Sequence, residues 1–139
     1  MTNSVVPMAK APAYLRRHGA PASAADLLHH RRLGFTAPAS LNIWPLDKEG
    51  LAIDAAITAS SGETLRHLAL SGAGIVCLAD FLIHSDVQAG CLVPVLETET
   101  LAWSQPVWAV FYKQGALAPR VKALVDFLAA RLSAGILAD

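Results

Sequence analysis

The chain has 139 residues, long enough for one domain with a core of its own. Its 11 lysines and arginines balance its 11 aspartates and glutamates, which leaves no basic footprint for nucleic acid or an anionic membrane. Apolar residues make up 54% and charged ones 16%, an apolar excess that calls for a covering lobe or subunit.

From the N-terminus, MTNSVVPMAK lacks a basic segment followed by an apolar stretch, so no signal peptide is expected. Ser4–Ala9, interrupted by Pro7, suits an edge strand or an incoming connection. Pro12 near its start and Gly19 past its end delimit a short helix over 11–18. Ser23 begins a second, with Asp26 placed for a capping box and an end near His29 and His30. Arg32–Thr36 is a short strand, followed by a loop rich in Ala, Pro and Ser up to Asn42. Ile43–Leu46 and the run from Gly50 flank a turn at Asp47–Gly50, which predicts a hairpin.

The stretch from Leu51 to Leu96 organises the rest. Leu51–Thr58 is apolar and β-branched, as a buried strand is. Ser60 or Ser61 can cap the following helix, which carries Leu65, Leu68 and Ala69 on one side and stops at Ser71-Gly72. Gly74–Leu78 reads as a strand, Asp80 starts a helix that Gly90 closes, and Cys91–Leu96 returns to a strand. The longest apolar run, Leu68–Ile83, is broken by Ser71-Gly72 and Asp80, so it is a core segment and no membrane span. Cys77 and Cys91, both in predicted buried strands, are expected to be inert thiols in a reducing compartment. Trp103-Ser104-Gln105 marks a crossing point before Pro106. Val107–Tyr112 reads as a strand apolar on both faces, and Pro119 opens a helix with Val121, Leu124, Val125, Leu128 and Leu132 in one stripe.

Alternating strands and helices imply an α/β fold with a largely parallel sheet covered by helices. In such sheets ligands sit beyond the carboxyl ends of the strands, against helix N-termini. Here those points are Ala59-Ser60-Ser61 and Ala79-Asp80. The plainer alternative is that a serine there only caps its own helix. No nucleophile elbow, P-loop or G-x-G-x-x-G is present, since Gly72-Ala73-Gly74 precedes a strand. Nothing brings His67 or Asp54 to Ser61 as a base, and no H-x-x-x-H pair offers a metal site. Trp44 and Trp108 are expected as packing anchors.

Four blocks carry a family resemblance. Ala11-Pro12-Ala13-Tyr14-Leu15-Arg16-Arg17-His18-Gly19 resembles an A-S-P-A-Y-L-x-x-H-G segment. Ser23-Ala24-Ala25-Asp26-Leu27-Leu28-His29-His30-Arg31, leading into Leu33-Gly34-Phe35, is similar to a P-x-D-L-x-x-H-x element. Leu68–Ile75, with Leu78 and Gly90–Val93, resembles an A-x-x-G-x-G-I-x-x-L-P…G-x-L-V run, and Val107–Leu132 a closing strand and helix. Together they resemble the effector-binding domain of LysR-type transcriptional regulators. Lys10-Ala11 departs from the usual small residue and serine, Ala79 from a proline, and Cys91 from a frequent arginine.

The resemblance implies an α/β, Rossmann-like three-layer lobe of the periplasmic-binding-protein type II kind. Residues 1–106 would be the second regulatory lobe, and 107–139 the strand and helix returning to a first lobe. No winged helix-turn-helix or first half of the effector domain is found here. The implied function is sensing of a small, anionic metabolite without catalysis, metal or cofactor. Effector-binding residues would be Thr36, Ala37, Ser60, Ser61 and Ala79. Self-association, as a dimer, is expected through 107–132, and DNA contact only through the absent N-terminal domain. A cytoplasmic location follows. The competing class is a protein-interaction remnant that binds no ligand.

Overall fold

A computed structural model describes residues 2–5, 8–101, 103–107, 110 and 118–133. The main sheet is built from β2 (Met8–Lys10), β3 (Arg32–Phe35), β6 (Ile57–Ala59), β7 (Ile75–Cys77) and β8 (Val93–Pro94). Their order is β6-β3-β7-β2-β8. β3 runs parallel to both β6 and β7, whereas β2 is antiparallel to β7 and to β8. Four of the five strands thus share a direction, and the sheet is mixed because β2 is reversed. The expected edge strand over Ser4–Ala9 is corrected by this arrangement. The segment divides into β1 (Thr2–Val5), outside the main sheet, and β2, buried near its middle.

Helices cover one face: α2 (Gly62–Leu70) and α3 (Asp80–Gln88). α2 keeps Leu65 and Ala69 buried, and Gly72, at φ +79°, takes the left-handed turn that ends it. The other face carries α1 (Pro12–His18), 3-10 segments at Ala24–His29 and Ala39–Asn42, and a hairpin of β4 (Ile43–Trp44) with β5 (Leu51–Ala52). The second short helix expected from Ser23 is therefore of the tighter kind. Asp26 accepts the N–H groups of Ala22 (2.8 Å) and Ser23 (3.0 Å), which holds its carboxyl below the usual range.

Two apolar layers follow from the alternation of side chains along a strand. Ile75 and Cys77 join Met8, Tyr14, Leu27, Trp44 and Leu46 on one face. Val76 and Leu78 join Ala9, Leu33, Leu65, Ala69 and Ile83 on the other. Each large buried side chain stabilises the fold by about 1.5–3 kcal/mol. Trp44 is a packing anchor, as expected, while Trp108 lies outside the described residues. Burial pushes the Cys77 thiol up to about 12, as an inert core thiol requires. Cys91 is exposed instead of buried, because the return strand is confined to Val93–Pro94.

One other strand expectation is corrected. Leu51–Thr58 is broken, since Leu51–Ala52 closes the hairpin and Ile57–Ala59 enters the main sheet. A further strand, β9 (Ser104–Val107), pairs antiparallel with β1, from Thr2↔Val107 to Val5↔Ser104. A proline at 106 is tolerated because both strands of a two-stranded ribbon are edges. Of the strand expected over Val107–Tyr112, Val107 ends β9 and Val110 is 91% exposed and outside any strand, while 108, 109 and 111–117 lie outside the described residues. α4 (Pro119–Ser133) forms where Pro119 predicts it.

Candidate functional site

The carboxyl ends of β3, β6 and β7 meet on one edge of the sheet. Phe35 is in register with Ala59, and the Thr36 N–H continues the ladder onto Ala59 O at 3.0 Å. Thr36 and Ser60 are therefore adjacent, each the first residue past its strand. The chain leaves β3 toward β6 on one side, and leaves β7 through α3 toward β8 on the other. Diverging connections of this kind open a crevice between neighbouring strands, where open α/β sheets bind ligands.

Asn42 occupies that parting. β3 pairs with β7 only at Arg32 and Leu33. Phe35, one residue out of phase with Thr36, turns its N–H and C=O to the side β7 has left. Asn42 replaces the missing strand: its Oδ1 accepts the Phe35 N–H at 2.7 Å, and its Nδ2 donates to Phe35 O at 2.8 Å. Gly34 makes room, since a Cβ there would stand 2.7 Å from both Asn42 Oδ1 and Ala55 Cβ.

α2 brings the third strand end in. A Cβ on Gly62 would lie 3.0 Å from Leu82 Cδ1, 3.7 Å from Phe35 Cζ and 3.8 Å from Leu78 Cδ2. The start of α2 thus rests on the end of β3, the end of β7 and the first turn of α3 at once. The first i−4 bond is Leu65 N–H to Ser61 O at 3.1 Å, so the N–H groups of Gly62, Glu63 and Thr64 point past the helix end.

Ser61 is the N-cap of α2, yet its side chain makes no cap hydrogen bond. The plainer alternative, a serine spent on capping, does not hold at this position. Ala79 is the N-cap of α3 and has no side chain to cap with. Thr36, Ala37, Ser60 and Ser61 are exposed and Ala79 is half-buried; the Ala37–Pro38 bond is cis. Of the five residues predicted from sequence, Thr36, Ser60 and Ser61 share one edge through β3, β6 and α2. Ala79 opens the neighbouring helix, and Ala37 leads away toward Asn42.

Both acidic residues at these helix starts are engaged one turn on. Glu63 Oε1 lies 2.6 Å from Arg66 Nη1 and 3.2 Å from His67 Nε2, and Asp80 Oδ2 lies 3.4 Å from His84 Nδ1. His67 therefore faces Glu63, not Ser61. Among the described residues no group of histidine, cysteine and carboxylate side chains could hold a metal ion. Phe35, Asn42 and Gly62 were not singled out from the sequence. A glycine after two serines was the available signal for Gly62, whereas nothing local tells which backbone Asn42 will meet.

The LysR substrate binding domain family matches residues 2–133. The HTH-type transcriptional regulator CrgA of Neisseria meningitidis serogroup C (strain 8013) is 47% identical over 124 residues, covering 87% of this chain and 42% of CrgA. The HTH-type transcriptional activator TtdR of Escherichia coli (strain K12) is 29% identical over 126 residues, 86% of this chain and 40% of TtdR. Among solved structures, the regulatory domain of CrgA from Neisseria meningitidis superposes with a TM-score of 0.86 at 44% identity, over 94% of this chain and 65% of that one. The chain thus spans about two fifths of the length of the curated relatives it matches. On the family match and these likenesses, the chain belongs to the LysR substrate binding domain family.

Proposed function

We propose that this chain is the effector-sensing lobe of a LysR-type transcriptional regulator, and that it binds a small, anionic metabolite at the carboxyl edge of β3, β6 and β7. The observation that carries this is the seating of α2 on the ends of β3 and β7. It aims the helix N-terminus and two uncommitted hydroxyls, Ser60 and Ser61, at one crevice. Backbone N–H groups at a helix start attract a carboxylate, and the dipole favours its charge. Thr36 adds a third hydroxyl, and the backbone at Ala37 and Ala79 lets a ligand approach closely. Glu63 would oppose an anion if free, and its ion pair with Arg66 blunts that opposition, while Asp80 faces His84.

The reaction class is binding without covalent chemistry, in keeping with relatives named as transcriptional regulators. Residues 1–106 form the sensing lobe in this proposal, and 107–139 the arm that returns to a first lobe. DNA contact belongs to a further domain, since this chain has no net charge to hold a duplex. The setting is cytoplasmic; no described helix is long and apolar enough to cross a membrane.

One observation favours self-association as well. α4 exposes Leu124 (56%), Phe127 (55%) and Leu128 (39%), a stripe that a second copy would cover as a dimer.

Calorimetric titration with a panel of simple carboxylates (acetate, succinate, benzoate) tests the site. Ser60→Ala/Ser61→Ala should weaken any carboxylate that binds by at least about fivefold, the loss of one or more hydrogen bonds. Binding unchanged by both substitutions would remove the site from this edge.

A further inference from the structure

Two of the histidines in the family-like blocks, His18 and His30, are not used by the candidate site, and both converge on Tyr14. Tyr14 is 2% exposed. Its hydroxyl accepts the Arg31 N–H at 2.9 Å and lies 3.2 Å from His30 Nδ1. The His18 ring stacks on the Tyr14 ring, with centroids 4.3 Å apart. Lys10, fully buried, places its ammonium 5.6 Å from the centroid of that ring and donates to Gly19 O at 2.7 Å. This cluster stands at the amino ends of β3 and β7, on the sheet edge opposite the candidate site.

The partners of the Tyr14 hydroxyl favour one state of His30. A tyrosine hydroxyl has one hydrogen to give. With the hydroxyl accepting from Arg31 and Tyr14 2% exposed, the assignment that also gives its own proton a partner sends it to His30 Nδ1, which then carries a lone pair. His30 is then neutral, with its hydrogen on Nε2. A second proton on Nδ1 would set two donors against the buried oxygen and leave the hydroxyl hydrogen without an acceptor.

The surroundings oppose that proton. Lys10 on β2, His18 on α1, His29 on the Ala24–His29 segment, Arg31 just before β3 and Arg32 on β3 are all cationic or can become so. Arg32 is held by its guanidinium to the carbonyls of Leu27 and of His30 itself. Two carboxylates stand against the Ala24–His29 segment: Asp26, whose charge is already shared by two backbone N–H groups, and Glu99, whose Oε2 accepts the Ala24 N–H at 2.8 Å. Burial, then Lys10 and His18, hold the His30 imidazole below the usual histidine range.

We propose that His30 is a proton-operated latch, holding α1 to the Ala24–Arg31 segment through the Tyr14 hydroxyl when neutral and releasing it when protonated. The sign follows from linkage. A folded-state pKa below the unfolded one means that the released form takes up the proton more readily. The latch is closed above the ordinary histidine range and opens as pH falls toward the folded value.

Long-range proton–nitrogen NMR of the 139-residue chain tests this between pH 5 and 8. His30 should carry its hydrogen on Nε2 at pH 7.5 and titrate below its own midpoint in the urea-unfolded chain. Protection of the Arg31 amide, taken relative to Val76 and corrected for intrinsic exchange, should fall with acid by up to about tenfold per pH unit. His30→Gln keeps an acceptor for Tyr14 and cannot titrate, so that pH dependence should vanish. Tyr14→Phe should move the His30 midpoint toward its unfolded value. A hydrogen on Nδ1 at pH 7.5, an unshifted His30 midpoint, or a pH dependence that survives in His30→Gln would each overturn the latch.

Discussion

The side-chain amide of Asn42 stands where a strand would, and Gly34 is what lets it approach. Asn42→Ala would leave the Phe35 N–H and C=O without partners on that side, at a cost of about 1–3 kcal/mol. Gly34→Ala attacks the same contact from below by driving a methyl into Asn42 and Ala55, at a similar cost of about 1–3 kcal/mol. Urea unfolding of the two single variants and the double checks both. The losses should be less than additive, because either substitution breaks the one contact. Neither role was legible in the sequence, where Asn42 merely ends a polar loop and Gly34 lies in an ordinary strand. Asn42 lies only seven residues from Phe35, but no periodicity tells which backbone a loop amide will meet, and Gly34 also faces Ala55 from a separate segment. Lys10 stood out only as a departure from a family pattern, yet it is fully buried, and desolvation lowers its ammonium to about 8. Its unfolded value lies higher, so the unfolded state binds more protons between pH 8 and 10.5. The stability of the wild-type chain should therefore rise across that window. Lys10→Met should be more stable at pH 7 and should flatten the rise, as urea midpoints measured across the window would show. An unchanged slope in Lys10→Met would assign it to other groups.

At the scale of elements, helices were easier to read than strands. The 62–70 helix shows its apolar side, its acidic first turn and its glycine stop locally, and each recurs in α2. Strands were drawn too long at Leu51–Thr58 and Cys91–Leu96, since an apolar run does not say where pairing stops. The neighbouring strand decides that: Ala56 N–H reaches Arg32 O, whereas Ile53 N–H turns to Asn42 O. What ties α2 to α3 was not visible from sequence either. Arg66 donates through Nε to Asp86 Oδ2 at 2.5 Å and through Nη2 to Oδ1 at 2.9 Å, a two-pronged bond across the pair. Asp86 is 12% exposed at its side chain, and its carboxylate keeps the Arg66 guanidinium protonated, above its ordinary range. Arg66→Ala strands this carboxylate and should cost about 2–4 kcal/mol, while Glu63→Ala, at an exposed pair, should cost less than about 1 kcal/mol. Comparable losses for the two would mean that the α2–α3 bond contributes little.

At the scale of the molecule, the α/β architecture was legible because its strands and helices alternate within Leu51–Leu96. The reversal of β2 was not, because strand direction depends on where residues 8–10 insert, more than sixty residues from their partner β7. The β1–β9 ribbon likewise joins residues 2–5 to residues 104–107, a pairing no local pattern announces. Self-association belongs to this scale. A dilute sample should run as a dimer by light scattering, and Phe127→Asp/Leu128→Asp should convert it to a folded monomer. A wild-type monomer would assign the α4 stripe another occupant. The claim that carries the most is the anion site at the ends of β3, β6 and β7, and backbone-amide NMR titration with the same carboxylates tests it most directly. The account predicts that a bound carboxylate shifts the amides of Gly62, Glu63 and Thr64 first, with Thr36 and the Asp80 turn following. Saturable shifts confined to other surfaces, with those amides unmoved, would contradict it.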